Sequence, residues 1–415
     1  MTLTERSGRS PMQPVDSYLS EVLGVIRPLP PRELGLDEAE GAVLTQDVTA
    51  TWPLPPFDNS AMDGYAVVAA DIAAAAPDRP VALPVRGEVA AGDTGKHEVT
   101  PGTCVKIMTG ALLPPGADAV VPVEWTDGGE VGGNVSIGRP AKPGNAIRRA
   151  GGDAAAGDLL LPAGSRLGPV QLGLLAAAGH GRVICRPRPR VTVISTGNEL
   201  AEPGQPVVPG QIWESNSRML AAAAREAGCL ARRHPIVPDR TEAVLAAIED
   251  VLPESDLLVT TGGVSMGGEH DVVKAALHDI AAVSFRRVAM QPGMPQGFGV
   301  VGAGRTPIFT LPGNPVSAYV SFQVFVRPAA SLLQDLHPER LAPGRAVLAA
   351  PVQSPAGRRS FLRGVLDPSD GSVAPLSGQA SHQLASLARA NALIIVPESV
   401  TELGAGENVG ILGLP

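Results

Sequence analysis

The sequence predicts a multidomain α/β protein, in which a doubly wound α/β domain is joined to β-rich domains. Three observations predict it. From Arg186 onward, short apolar runs alternate with segments of helical period, the pattern of strands crossed over by helices. Between Trp52 and about Arg149, and again over residues 342–415, short apolar runs are cut by Gly, Pro and Asp turns, which is β texture. The run Leu257–Thr260 ends in Thr261-Gly262-Gly263-Val264-Ser265-Met266-Gly267-Gly268, a strand that feeds a glycine-rich turn and then a helix.

Taken in order, residues 12–24 place Val15, Tyr18, Leu19, Val22 and Leu23 on one helical face. Residues 36–50 predict a short helix leading into a strand. Val81–Val85, Cys104–Met108 and Ala119–Val123 read as strands, and Gln171–Ala178 as a helix. Arg190–Ser195 is a strand, and Ser217–Ala227 is a helix stopped by Gly228. Leu230–Val237 is a strand, and Thr241–Val251 is a helix capped near Asp239 or Arg240. Asp256–Thr260, Val283–Ala289 and Ile308–Leu311 are further strands. Pro315–Leu333 is one long helix, with Asn314 at its N-cap and Pro315 at its first position. The expected domains are residues 1–51 with 150–185, 52–149, 186–335 and 336–415.

At 415 residues the chain has ample length for real cores. With 44% hydrophobic and only 3% aromatic residues, those cores must be built from Val, Leu, Ile and Ala. A net charge of −8 argues against nucleic acid as a partner. The N-terminus has no signal-like apolar stretch and no run is expected to reach the length of a membrane span, so a soluble cytoplasmic protein is expected. Cys104, Cys185 and Cys229 are odd in number and far apart, which disfavours a disulfide framework or zinc site. There is no GxxxxGK[ST] loop, no GxGxxG after a strand and no GxSxG elbow. His270 and His278, the one close histidine pair, lack the usual helical metal spacing.

Chemistry gathers where strands of the α/β domain end. Glu199 follows the first strand, Asp239 the second and Asp271 the third, and a parallel sheet brings such positions to one edge. Backbone N–H groups of the turn Thr261-Gly262-Gly263 through Ser265 and Gly267 form an anion cradle. Carboxylates beside it suit a hard cation such as Mg²⁺. Blander roles fit the same residues: Asp271 as a simple N-cap, Asp239 with Glu242 as a capping box, and Glu199 as a solvated loop residue. A second polar cluster, Pro55-Pro56-Phe57-Asp58-Asn59-Ser60-Ala61-Met62-Asp63-Gly64-Tyr65, sits in a loop of the β-rich part and fits either function or a turn.

Together these segments resemble the molybdopterin molybdenumtransferases, the MoeA family that includes the gephyrin E domain. The matching runs are Phe57–Tyr65, Ile107–Gly110, Gly116–Val121, Ser195–Leu200, Thr261–Gly267, Leu311–Ser317, Arg359–Arg363 and Ala390–Leu393. They occur in family order across nearly the whole chain. The resemblance implies an elongated four-domain homodimer whose cleft is completed by the partner chain. It implies insertion of molybdate into adenylylated molybdopterin, with Mg²⁺ and release of AMP, the substrate's dithiolene sulfurs taking the metal.

The resemblance assigns functional roles to Asp58, Thr109, Glu199, Asp239 and Asp271, with Glu199 and Asp271 as metal ligands. It places Thr261, Gly262, Gly263, Ser265, Gly267, Pro312, Asn314, Pro315 and Arg363 at the substrate. Arg148, Arg149 and Asp153 fall where the family has a basic and acidic turn. One segment departs from it: Met290-Gln291-Pro292-Gly293-Met294-Pro295 carries Gln291 and Met294 where relatives often have lysine, so Lys274, Arg286, Arg287 or a partner's Arg363 is left to offset the anion's charge. Two other functions fit the sequence, adenylylation of the pterin and a non-catalytic scaffold; ATP consumption and substrate turnover respectively separate them from metal insertion.

Overall fold

A computed structural model describes residues 12–93, 96–263, 272–280, 283–337 and 344–414. They form two compact units: Glu33–Glu40 with Leu44–Ile184, and Met1–Arg32 with Gly41–Val43 and Cys185–Pro415. The N-terminal helix thus clusters with the α/β part. The predicted substrate residues Ser265 and Gly267 and the predicted catalytic residue and metal ligand Asp271 lie outside the described residues.

The first unit is built on a five-stranded sheet in the order Ala119–Pro122, Gly64–Val67, Cys104–Ile107, Val81–Val89, Asn134–Ile137. Its strands are buried on both faces because successive side chains point opposite ways. Tyr65, Val67, Val85, Cys104 and Val121 pack on one side, and Ala66, Val105, Ile107 and Val120 on the other. The helix expected within 36–50 is a single turn, closed by Ala39 N–H to the Gly35 carbonyl at 3.0 Å. Gly41 at φ +73° ends it, a backbone angle that a continuing helix does not allow.

The second unit contains a six-stranded sheet in the order Leu230–Arg233, Arg190–Ser195, Leu257–Thr261, Thr306–Leu311, Pro295–Val301, Ser284–Arg287. The first four strands are parallel and the last two antiparallel. Alternation splits its apolar residues between two cores. Val191, Val193, Leu257, Val259, Phe309 and Leu311 face one layer, which holds the helices Val15–Val25 and Asn216–Glu226. Ile194, Leu258 and Ile308 face the other, with Val244 and Ile248 of Thr241–Val251 and Val273 and Leu277 of Val272–Ile280. This is the doubly wound arrangement expected.

Two local expectations change. Pro295–Val301 is a strand that its two glycines and its proline disguise. Gly297 is required there, since a Cβ would sit 1.7 Å from Thr310 Oγ1 and 2.9 Å from the Phe285 ring. The run Pro315–Leu333 is helical throughout but widens to a π-helix over Phe322–Val326. Pro328 lies just beyond and has no N–H to give to the carbonyl one turn back. Contrary to the expectation that no run reaches the length of a membrane span, this one is long and apolar enough to cross a bilayer, yet Val316, Ala318, Val320, Phe322, Phe325, Val326 and Ala329 are buried in the core, with Tyr18 edge-on to Phe325 at 4.9 Å.

The C-terminal strands close on themselves. Arg359–Asp367, Ser372–Pro375, Gly344–Leu348, Asn408–Gly413 and Ala392–Val396 form a ring, because the first and last also pair. Ala346, Val373, Ile394 and Val409 fill it, while Phe361 and Leu393 turn toward the α/β core. The three cysteines are buried and form no disulfide.

Candidate functional site

Loops leaving the carboxyl ends of Arg190–Ser195, Leu257–Thr261 and Thr306–Leu311 enclose a pocket of about 300 Å³. That is where ligands sit in open parallel sheets. Its walls include Thr196, Glu199, Asn216, Thr261, Gly262, Gly313, Asn314 and Pro315. The structure therefore brings five of the expected residues together: Glu199, Thr261, Gly262, Asn314 and Pro315.

The strand-end loops press closely on one another. Gly262 has φ +97°, and a Cβ there would lie 2.6 Å from the Thr196 carbonyl oxygen, so only glycine fits. Gly263, at φ +64°, is equally tight, its missing Cβ falling 2.7 Å from Val273 Cγ2. Thr261 Oγ1 donates to the Pro312 carbonyl at 3.1 Å, which ties the turn to the loop before the long helix. Asn314 does not cap that helix with its side chain; its Nδ2 donates instead to Ser381 Oγ at 3.0 Å.

Two residues that sequence reasoning missed organise the floor. Asn216 Nδ2 donates to Thr261 Oγ1 at 3.0 Å and to the Gly313 carbonyl at 2.7 Å. Glu214, only 1% exposed, accepts from Ser195 Oγ at 2.8 Å, from Ser217 N–H at 2.6 Å and from Ser217 Oγ at 2.7 Å. Arg218 adds a charged donor at 3.2 Å and also binds Glu202 at 2.5 Å. That pairing, with Arg233 beside it, holds the Glu202 carboxyl below the usual carboxylate range. The signal was present in Glu214-Ser215-Asn216, a polar run directly before an Ala-rich helix, which is a capping pattern.

Two buried acceptors in the pocket wall, Thr196 Oγ1 and Asn216 Oδ1, have no protein partner among the described residues. At the rim, Ile212 and Trp213 are 58% and 55% exposed. Trp213 Nε1 donates to the Gln205 carbonyl at 2.9 Å, which fixes the indole and leaves an apolar surface beside the pocket. Among the described residues no lysine or arginine lines it. Lys274 instead lies 5.9 Å from the centre of the Phe285 ring.

The other expected residues lie elsewhere. Asp239 is outside the lining and exchanges hydrogen bonds with Asn198, at 3.2 Å and 3.0 Å. Pro312 contributes its carbonyl rather than its ring. Arg363 is fully buried in the C-terminal ring of strands, where it donates to the Gly378 and Ala380 carbonyls while Nε and Nη1 have no partner among the described residues. Burial pushes its guanidinium below its ordinary pKa. It reaches the pocket only indirectly, by holding the loop that carries Ser381 and His382.

In the first unit, Asp58 accepts from Ala150 N–H at 2.8 Å and from Arg149 at 2.5 Å, and both hold its carboxyl below the usual range. Thr109 donates through N–H and hydroxyl to Asp63 at 2.6 Å and 2.8 Å, with the same effect on Asp63. Among the described residues no three His, Cys, Asp or Glu side chains gather as a metal site. The lining's carboxylates are Glu199 and Glu214, and Glu214 is taken up by Ser195 and Ser217, so Glu199 is the hard oxygen donor there that suits Mg²⁺.

Comparison with known proteins covers the same ground. The model of the MoeA N-terminal region (domain I and II) matches residues 13–179, a probable molybdopterin binding domain matches 192–331, and the MoeA C-terminal region (domain IV) matches 345–414. Molybdopterin molybdenumtransferase 2 of Mycobacterium tuberculosis is 47% identical over 410 residues, covering 97% of this chain and 100% of that one. The molybdopterin molybdenumtransferase of Bacillus subtilis is 35% identical over 410 residues, with 97% and 94% covered. The solved molybdopterin biosynthesis MoeA protein of Pyrococcus horikoshii is 33% identical, with a TM-score of 0.75 over 97% of this chain and 99% of its own. The chain belongs to the MoeA family of molybdopterin molybdenumtransferases.

Proposed function

We propose that this chain works in molybdenum cofactor biosynthesis, as a transferase that inserts molybdate into adenylylated molybdopterin and releases AMP. The observation that carries the reading is the pocket at the strand ends of the molybdopterin-binding region. Its wall offers two buried acceptors without partners among the described residues, Thr196 Oγ1 and Asn216 Oδ1, which suit the N–H edge of a heterocycle. The exposed face of Trp213 suits the ring itself.

The protein's own part is to bind and orient. Asn216 and Thr261 lock the loops that shape the pocket. Mg²⁺ would be held by Glu199 and Asp271, and when bound it supplies positive charge for the oxyanions in a pocket whose described lining has no lysine or arginine. The cleft of a homodimer, the four-part domain division and a cytoplasmic location belong to the same proposal. Buried cysteines outside disulfides support the last of these.

The deciding experiment measures AMP released from adenylyl-molybdopterin with and without molybdate. Molybdate-dependent release supports the reading. No release would leave a scaffold, and product formed only with ATP would make the chain an adenylyltransferase. Light scattering that finds only monomer would overturn the dimer.

A further inference from the structure

A second cavity, of about 540 Å³, shares no lining residue with the pocket at the strand ends. It lies against the edge strand Leu230–Arg233 and the start of Arg190–Ser195. Four guanidinium groups line it, those of Arg188, Arg190, Arg225 and Arg232. Arg190 is neutralised by a two-pronged pairing with Asp256 at 2.8 Å and 3.1 Å, and Arg232 by Glu254. Among the described residues, Arg188 and Arg225 face no carboxylate. Arg188 donates to the Gly228 and Cys229 carbonyls at 2.9 Å and 3.1 Å, and Arg225 to the Ala231 carbonyl at 3.1 Å.

Four guanidinium groups against two carboxylates leave two positive charges on one cavity, in a chain whose net charge is −8. Local positive charge without a counter-charge is what an anion site needs, whatever the overall sign. Backbone carbonyls hold these two side chains in place without neutralising them. Val191, Leu230 and Ala231 give the rest of the wall an apolar part, Leu230 being 50% exposed, beside Thr192 and Cys229. The volume lies within the range of small-molecule sites.

We propose that this cavity is a second ligand site, for a phosphate monoester carrying a flat apolar body. The dianion matches the two uncompensated guanidinium groups, whose planar forks suit phosphate oxygens. The flat body covers Leu230 and stacks on an arginine plane. A free carboxylate or inorganic phosphate satisfies only part of this surface.

The test is calorimetric titration of the full chain with naphthyl phosphate, beside naphthol and inorganic phosphate. Binding of naphthyl phosphate at one site per chain is expected, with each fragment weaker by roughly tenfold or more. Arg225→Gln removes one exposed cation and should weaken binding roughly tenfold. Leu230→Glu sets a negative charge on an exposed wall position and should abolish it. Glu199→Ala, in the other pocket, should leave it intact. Absence of binding at millimolar naphthyl phosphate overturns the proposal. So does binding that survives Arg225→Gln and Leu230→Glu, or that disappears with Glu199→Ala. The readout is binding alone, so it stands or falls apart from molybdate insertion.

Discussion

Asn216 and Thr261 are joined by a 3.0 Å hydrogen bond, and the same amide nitrogen reaches the Gly313 carbonyl at 2.7 Å. One side chain at the start of a helix therefore ties together loops that follow two different parallel strands. Asn216→Ala should cost about 2 kcal/mol of stability from two lost hydrogen bonds. Turnover should fall further, by roughly a hundredfold, because loose loops no longer hold substrate in a reactive geometry. Steady-state kinetics beside thermal unfolding decides this, and an activity loss no larger than the stability loss explains would refute the clamp.

Glu214 lies beneath Asn216 and accepts four hydrogen bonds from Ser195, Ser217 and Arg218. Its removal strands several donors in a site that water does not reach. Glu214→Ala should destabilise the second unit by about 3 kcal/mol, and Glu214→Gln by less, since the amide oxygen still accepts. Urea unfolding measures both, and equal stability of all three proteins would show that the network carries no weight.

Asp58 makes a prediction about acid. Its folded pKa is lowered by Ala150 N–H and Arg149 below its unfolded value of about 3.9. Such a group stabilises fully above the unfolded pKa, and the contribution is lost as pH falls through the folded value. Between about pH 6 and about pH 3, the wild type should lose melting temperature more steeply than Asp58→Asn. Parallel profiles would mean that the pairing with Arg149 is too solvated to count.

Glu199 is exposed at the pocket wall and pairs with no arginine or lysine among the described residues, so removing it should leave the fold alone. Glu199→Ala is expected to keep the wild-type melting temperature within about 0.5 kcal/mol of stability. Its magnesium requirement should rise, and its turnover should fall, by roughly tenfold or more. Wild-type turnover across a magnesium titration would remove Glu199 from the proposed metal site.

The doubly wound sheet was legible because its parallel strands are covered on both faces. Val191–Ile194, broken only by the buried Thr192, and Leu257–Val259 are near-continuous apolar runs for that reason. Pro295–Val301 was hidden by glycines that serve a neighbour, Gly297 making room for Thr310. The single turn at 36–40 looked helical because short-range pattern does not reveal where Gly41 stops it. At the pocket, Thr261, Gly262 and Asn314 were legible from strand-end position. Glu214 and Asn216 were not, because only the tertiary approach of Ser195 and Gly313 turns an ordinary capping run into a pocket floor.

The departure at Gln291 and Met294 bears on how the oxyanion is held. Gln291 is exposed and pairs with Ser360 on the parallel strand Arg359–Asp367, while Met294 is half-buried. Between them, the Gly293 carbonyl accepts from Gln296 Nε2 at 2.6 Å, and that nitrogen also donates to Ser321 Oγ at 2.6 Å, so the turn is anchored in the core. No lysine or arginine lines the strand-end pocket among the described residues, and Arg363 donates to backbone carbonyls. On the proposed function, an oxyanion here would rely on metal charge and backbone donors. Restoring charge at the exposed position is the gentler change, so Gln291→Lys alone should already lower the molybdate concentration for half-maximal turnover, by roughly the tenfold that one added charge-assisted contact gives. Gln291→Lys with Met294→Lys should lower it further if the half-buried site tolerates the longer side chain, which a melting curve reports. A molybdate titration showing an unchanged or raised half-saturation point in the single variant would mean that charge is not what this segment lacks.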